Sequence, residues 1–125
     1  MKLIIEALPP WEWGPNVRLP QDRRVAYAIR HKAARDFLLE AMSQVPIPEH
    51  PWAKARATVS FVVPDRRRRD TDNYLACLKF LWDWLKARGV IIDDSWECLE
   101  IQLASPPVRL EQGRRATIIE LEEIG

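Results

Sequence analysis

The chain has 125 residues, 47% of them hydrophobic, and a formal net charge of +1. This is one domain's worth of sequence, residues 1–125, with enough apolar content for a core, and it excludes a polycation that coats nucleic acid through bulk charge. Two cysteines are too few for a metal quartet or a disulfide framework, no segment reads as a secretory signal, and no apolar run nears the roughly 20 residues that cross a bilayer, so a reducing cytoplasmic setting without membrane contact is expected.

"KLIIEAL" (residues 2–8) predicts a short strand stopped by Pro9 and Pro10, and "PPWEWGPNVRLP" an ordered aromatic loop. From Asp22 to Met42 the apolar positions Val25, Ala28, Ile29, Ala33, Phe37 and Ala41 recur at threes and fours, predicting an amphipathic helix. "VPIPEHP" breaks it. Residues 55–63, "ARATVSFVV", alternate and predict a strand with Ala57, Val59, Phe61 and Val63 on one face. A second helix is expected from about Thr71 to Arg88, closed by Gly89. Residues 95–104 and 115–122 alternate again, with "SPPVRLEQG" as the turn between them. The order strand-helix-strand-helix-strand-strand defines an α+β domain: a small four-stranded mixed sheet with two main helices packed on it.

The stretch that carries chemistry is "RRRRDTDN", residues 66–73, with the helix behind it. Alone, "DTDN" reads as a helix N-cap and the arginine run as a solvated face. The picture changes with "GVIIDD", where an apolar run aimed at the sheet ends in Asp93 and Asp94. If that sheet edge faces the helix start, Asp70, Asp72 and Asp94 converge. Three carboxylates without histidine or thiol form a hard oxygen set, suited to Mg²⁺ or Mn²⁺ rather than zinc. On a straight helical wheel Lys79 and Asp83 share the face of Asp72. Lys79 leans back toward the helix start, whereas Asp83 lies too far along to share a metal and is assigned an i, i+4 pair with Lys79. The rest of the wheel is almost wholly apolar, which predicts burial on two sides, by the sheet and by a partner subunit. Six tryptophans in so small a domain point the same way. Phe80, Trp84 and "PPWEW" are the candidate dimer contact, with ordinary core packing as the alternative. Cys77 and Cys98 read as packed residues, and His31 and His50 as incidental.

An early "PP…N" segment (Pro9, Pro10, Asn16), an arginine run, D-x-D-N, a helical lysine, a glycine at the helix end and a final DD pair stand here in one order. With them the sequence resembles the RusA family of Holliday-junction resolvases, small dimeric endonucleases of bacteria and their prophages. The resemblance implies Mg²⁺-dependent (or Mn²⁺-dependent) symmetric nicking of four-way DNA junctions by a homodimer, in recombination and repair. Asp70, Asp72 and Asp94 match the family's acids, Asp93 neighbours them as a further metal ligand, and Lys79 matches its lysine. Arg66, Arg67, Arg68, Arg69, Asn73 and Asn16 are the expected DNA contacts. The pattern departs at one place: Lys79 follows Asp72 by two helical turns instead of one, as if about three residues were inserted. Two other readings stay open, a branched-DNA-binding protein without turnover and a nuclease of flaps or forks.

Overall fold

Nine alternating residues, Ala55–Val63, form the strand on which the domain is assembled. In the computed structural model, which describes residues 1–125, this strand (β2) is flanked on both sides. The other strands are β1 (Lys2–Ile5), β3 (Leu99–Leu110) and β4 (Ala116–Glu123), and the sheet order is β1-β4-β2-β3. β4 runs antiparallel to both β1 and β2, while β3 is parallel to β2. A parallel neighbour requires a crossover, and the segment between β2 and β3 supplies it with two short helices, α2 (Thr71–Ala76) and α3 (Lys79–Ala87). The long helix α1 (Arg23–Met42) precedes β2. The expected α+β domain with a four-stranded mixed sheet is what the chain forms.

Alternation gives the sheet two unlike faces. Ala57, Val59 and Phe61, with Leu3, Ile5, Ile119 and Leu121, are fully buried beneath Phe37, Ala41, Leu78, Leu81 and Leu85 of the helical layer. The opposite face is wet: Arg56 bridges Glu100 (3.0 Å) on β3 and Glu122 (3.3 Å) on β4, and Gln102 donates to Thr58 (3.1 Å).

The helix ends follow local chemistry. Asp22 caps α1 by accepting from the Arg24 amide (2.9 Å). α3 closes in a Schellman arrangement, the Gly89 amide donating to the Lys86 carbonyl and the Val90 amide to that of Leu85, with Gly89 at φ 84° where a side chain is strained. Arg88 then joins two helix ends: its Nη2 donates to the carbonyls of Met42 and Val45 (both 3.1 Å), while its guanidinium lies 5.2 Å from the centre of the Trp84 ring.

Four expectations are corrected. The first strand stops at Ile5. β3 runs through Ser105, Pro106 and Pro107, which had been assigned to a turn, because β3 is an edge strand whose outer amides have no partner to lose. The stripe of α1 that enters the core is Ala34, Phe37 and Ala41, with Val25 and Ala28 left exposed. The helix expected over residues 71–88 is two helices, broken at Cys77 and Leu78. At the break the amides of Cys77, Leu78 and Leu81 bond three residues back, to Tyr74, Leu75 and Leu78. This tighter winding buries both Cys77 and Leu78, the former against Gly14, where an added Cβ would stand 3.6 Å from the Cys77 sulfur and 3.1 Å from the Trp11 carbonyl.

Candidate nucleic-acid interface

The arginine run is a loop leaving β2, and its four members do not behave alike. Asp65 accepts from the Arg67 amide (3.0 Å) and pairs with Arg69 (2.9 Å). Arg69 folds back further, donating to the carbonyls of Asp65 (3.0 Å) and Arg67 (2.8 Å), so that only 5% of its side chain is exposed. Its Nε and Nη2 are buried without a partner. Arg69, expected at a phosphate, is instead the brace of the loop. Arg66, Arg67 and Arg68 are exposed.

Directly behind the loop Asp70 is the N-cap of α2, its Oδ1 accepting from the amides of Asp72 (3.0 Å) and Asn73 (3.2 Å). One carboxylate oxygen is thereby committed to the backbone and the other remains open. Asp72 is exposed in the first turn. The loop before α1 comes to the same place: Trp11, Gly14, Asn16 and Val17 line one side of a cleft of about 400 Å³, and Asp70 and Asn73 the other. Asn16 and the D-x-D-N motif, more than fifty residues apart in the chain, meet there.

The remaining acids lie elsewhere. Asp94 acts on Asp83 of α3. Asp83 is exposed, yet partial desolvation, the hydrogen bond with Asp94 and the Asp94 charge push its carboxyl above the usual range, with Lys79 and Lys86 offsetting part of this. Asp83, set aside on the sequence, is therefore the partner of Asp94. The i, i+4 ion pair expected between it and Lys79 is not formed within 4 Å; Lys79 opens α3, exposed, and acts on Asp83 only through its charge. Asp93 is held by Lys86 (3.1 Å) and accepts from the Asp94 amide (2.9 Å), and these contacts keep its carboxyl below the ordinary range.

The wheel misplaced these groups because it assumed one straight helix. The break at Cys77 and Leu78 changes the winding between Asp72 and Lys79, so a constant 100° per residue does not carry across it. The Lys79, Asp83, Lys86 stripe was visible in the sequence, but not that residues 92–94 would run beside it.

Mg²⁺ and Mn²⁺ ask for several oxygens converging on one point. Here no three aspartate, glutamate, histidine or cysteine groups are gathered around one point. The four expected ligands Asp70, Asp72, Asp93 and Asp94 are accordingly not gathered in one group of three or more. Cys77 offers no alternative chemistry, since burial and then the charge of Glu12 push its thiol up. Among the aromatics, Phe80 is not at a free surface: it packs on Trp13 (5.2 Å between ring centres) and edge-on against Phe37 (5.5 Å). The second apolar side of α3 is thus covered by α1 and the Trp11–Trp13 turn.

No helix is long and apolar enough to cross a membrane. Neither a family model nor a curated protein matches the chain in sequence.

Proposed function

We propose that this chain is a RusA-like endonuclease of branched DNA, resolving four-way junctions by paired nicks. The observation that carries the reading is the cleft in which Asn16 meets Asp70 and Asn73. Two separate parts of the family pattern come together there, beside an exposed arginine loop. On this reading Arg66, Arg67 and Arg68 neutralise phosphates flanking the branch point, giving affinity that falls with salt. Asp70, Asp72 and Asp94, now with Asp83, are the acids on which cutting depends, and Lys79 is the cation that draws the phosphate toward them. Symmetric nicks need two copies related by a two-fold axis. The protein would act on DNA in the cytoplasm.

A second reading is favoured by the separation of the acids: a protein that binds branched DNA without cutting it. The test is incubation of an end-labelled synthetic four-way junction with the protein in Mg²⁺, in Mn²⁺ and in EDTA, beside Asp72→Asn. Paired symmetric nicks lost in Asp72→Asn and in EDTA support the resolvase. Tight junction-selective binding with no nicks under either ion supports the binder. Preferential cutting of flaps or forks in a parallel panel points to a nuclease of different preference.

A further inference from the structure

The stripe of α1 that enters the core does not end where the core ends. Ala34, Phe37 and Ala41 are its buried members, and stepping back by threes and fours on the same face gives Arg30, Tyr27, Ala26 and Arg23. No residue in the first half of the helix, from Arg23 to Ala33, is buried. A core-facing stripe thus turns from alanine and phenylalanine to arginine and tyrosine as it leaves the core. It faces a groove of about 700 Å³ with Trp13, Phe80 and Asp83 on its other side. That volume lies within the range of sites that hold small ligands.

The side chains of the groove walls make contacts of their own. Tyr27 and His31 stack nearly parallel, 5.7 Å between centres and 16° between planes, although Tyr27 is 69% exposed. The Trp13 indole is fixed by donating to the Arg30 carbonyl (3.0 Å), and Arg30 Nε donates to the Glu12 carbonyl (3.1 Å), leaving its Nη groups for another partner. Arg23 lines the groove as well, and neither arginine has a carboxylate partner within 4 Å; Asp83 is the one acid on the lining.

Exposed aromatic faces beside free guanidinium groups complement a molecule that is flat and apolar in one part and anionic in the next. We propose that this groove binds an unpaired nucleotide of a nucleic-acid strand, its base stacked on the Tyr27–His31 pair and its phosphate on Arg23 and Arg30. Single-stranded nucleic acid is bound in this way elsewhere, by basic grooves with aromatic platforms. The inference deepens the branched-DNA reading and rests on its binding half alone; the arginine loop grips paired arms, and the groove takes a base that the branch point leaves unstacked.

The test measures anisotropy of a fluorescein-labelled oligothymidylate, and of a fully paired four-way junction, with the wild type, Tyr27→Ala, Tyr27→Trp, and the triple variant Arg66→Ser, Arg67→Ser, Arg68→Ser. Exposure of Tyr27 makes both substitutions compatible with folding, which circular dichroism checks. Tyr27→Ala is expected to weaken oligothymidylate binding about tenfold, the loss of one stacked base, and Tyr27→Trp to restore it. The triple variant is expected to weaken the junction while keeping the dependence on Tyr27. Equal oligothymidylate binding by wild type and Tyr27→Ala overturns the groove, and leaves the branched-DNA reading standing if the junction is still bound. Tyr27-dependent binding of the single strand without recognition of the junction sustains the groove and removes the resolvase. A Tyr27→Ala effect seen only as loss of self-association in sedimentation makes the groove a contact between copies, and also overturns the proposal.

Discussion

Asp70 caps a helix, and substitution can separate that from the part in cutting proposed for it. Its Oδ1 caps α2, and loss of such a cap costs about 1 kcal/mol. Asp70→Ala is therefore expected to lower stability by about that much in urea titrations, while Asp70→Asn, which keeps an acceptor oxygen, leaves stability close to wild type. If Asp70→Asn nevertheless abolishes junction cutting, the carboxylate has a role beyond the cap; unchanged cutting would confine it to the helix end. Asp83 makes the opposite kind of prediction. Its folded-state pKa lies above the ordinary 3.8 because partial desolvation and Asp94 disfavour its charge. The folded form therefore holds this proton more tightly than the unfolded chain. Its contribution to stability is fully present below 3.8 and is lost as pH rises through the folded value. Asp83→Asn should thus melt higher than wild type at neutral pH, by no more than a few tenths of a kcal/mol once solvent screening is allowed for, roughly the worth of an exposed pair. The difference should close in acid, and an advantage that persists there would contradict the Asp94 pairing.

At the level of elements, the arginine loop contains two kinds of arginine. Arg66→Ala is expected to reduce the slope of log affinity against log salt by about one and to leave stability alone. Arg69→Ala should leave that slope in place and destabilise the fold by about 1–3 kcal/mol, through loss of its bonds to Asp65 and the loop carbonyls. Binding isotherms at several salt concentrations, beside denaturant titrations, distinguish them. No sequence rule separates four consecutive arginines; the difference arises because Asp65, four residues before Arg69, draws it inward. The same limit explains what was and was not legible. β2 was read to the residue, since its alternation and β-branched side chains act locally, and α1 was placed by apolar residues recurring at threes and fours. The break at Cys77 and Leu78 was hidden because residues 74–82 are all compatible with a helix; it falls where Gly14 packs over Cys77 from some sixty residues away. The prolines of β3 signalled a turn because a sequence does not say which strand lies at an edge. For the site, the arginine-aspartate motif and Asn16 each stand out in the sequence, but their meeting in one cleft does not, and the influence of Asp94 on Asp83 waited on the path of residues 92–94.

Across the whole molecule the charges are sorted by side. Glu120, Glu122 and Glu123 lie on β4, and Arg114 is neutralised by Glu6 and Glu111, both at 2.7 Å. Arg66, Arg67 and Arg68 of the loop and Arg23, Arg24 and Arg30 of the first half of α1 are among the cations with no carboxylate partner within 4 Å, so a chain of net charge +1 still carries local basic surface. Paired nicking adds a demand at this scale: sedimentation should find twice the 14.6 kDa of one chain, and a monomer at assay concentration would be incompatible with the symmetric mechanism. Arg88 ties the end of α1 near Met42 to α3, while nothing buries the end near Arg23. One helix thus has an anchored end and a loose one, and local opening free energy follows burial and packing. Backbone amides along α1 should therefore exchange with deuterium in a gradient, fastest near Arg23 and slowest near Ala41, and a strand seated in the groove should flatten that gradient from its fast end.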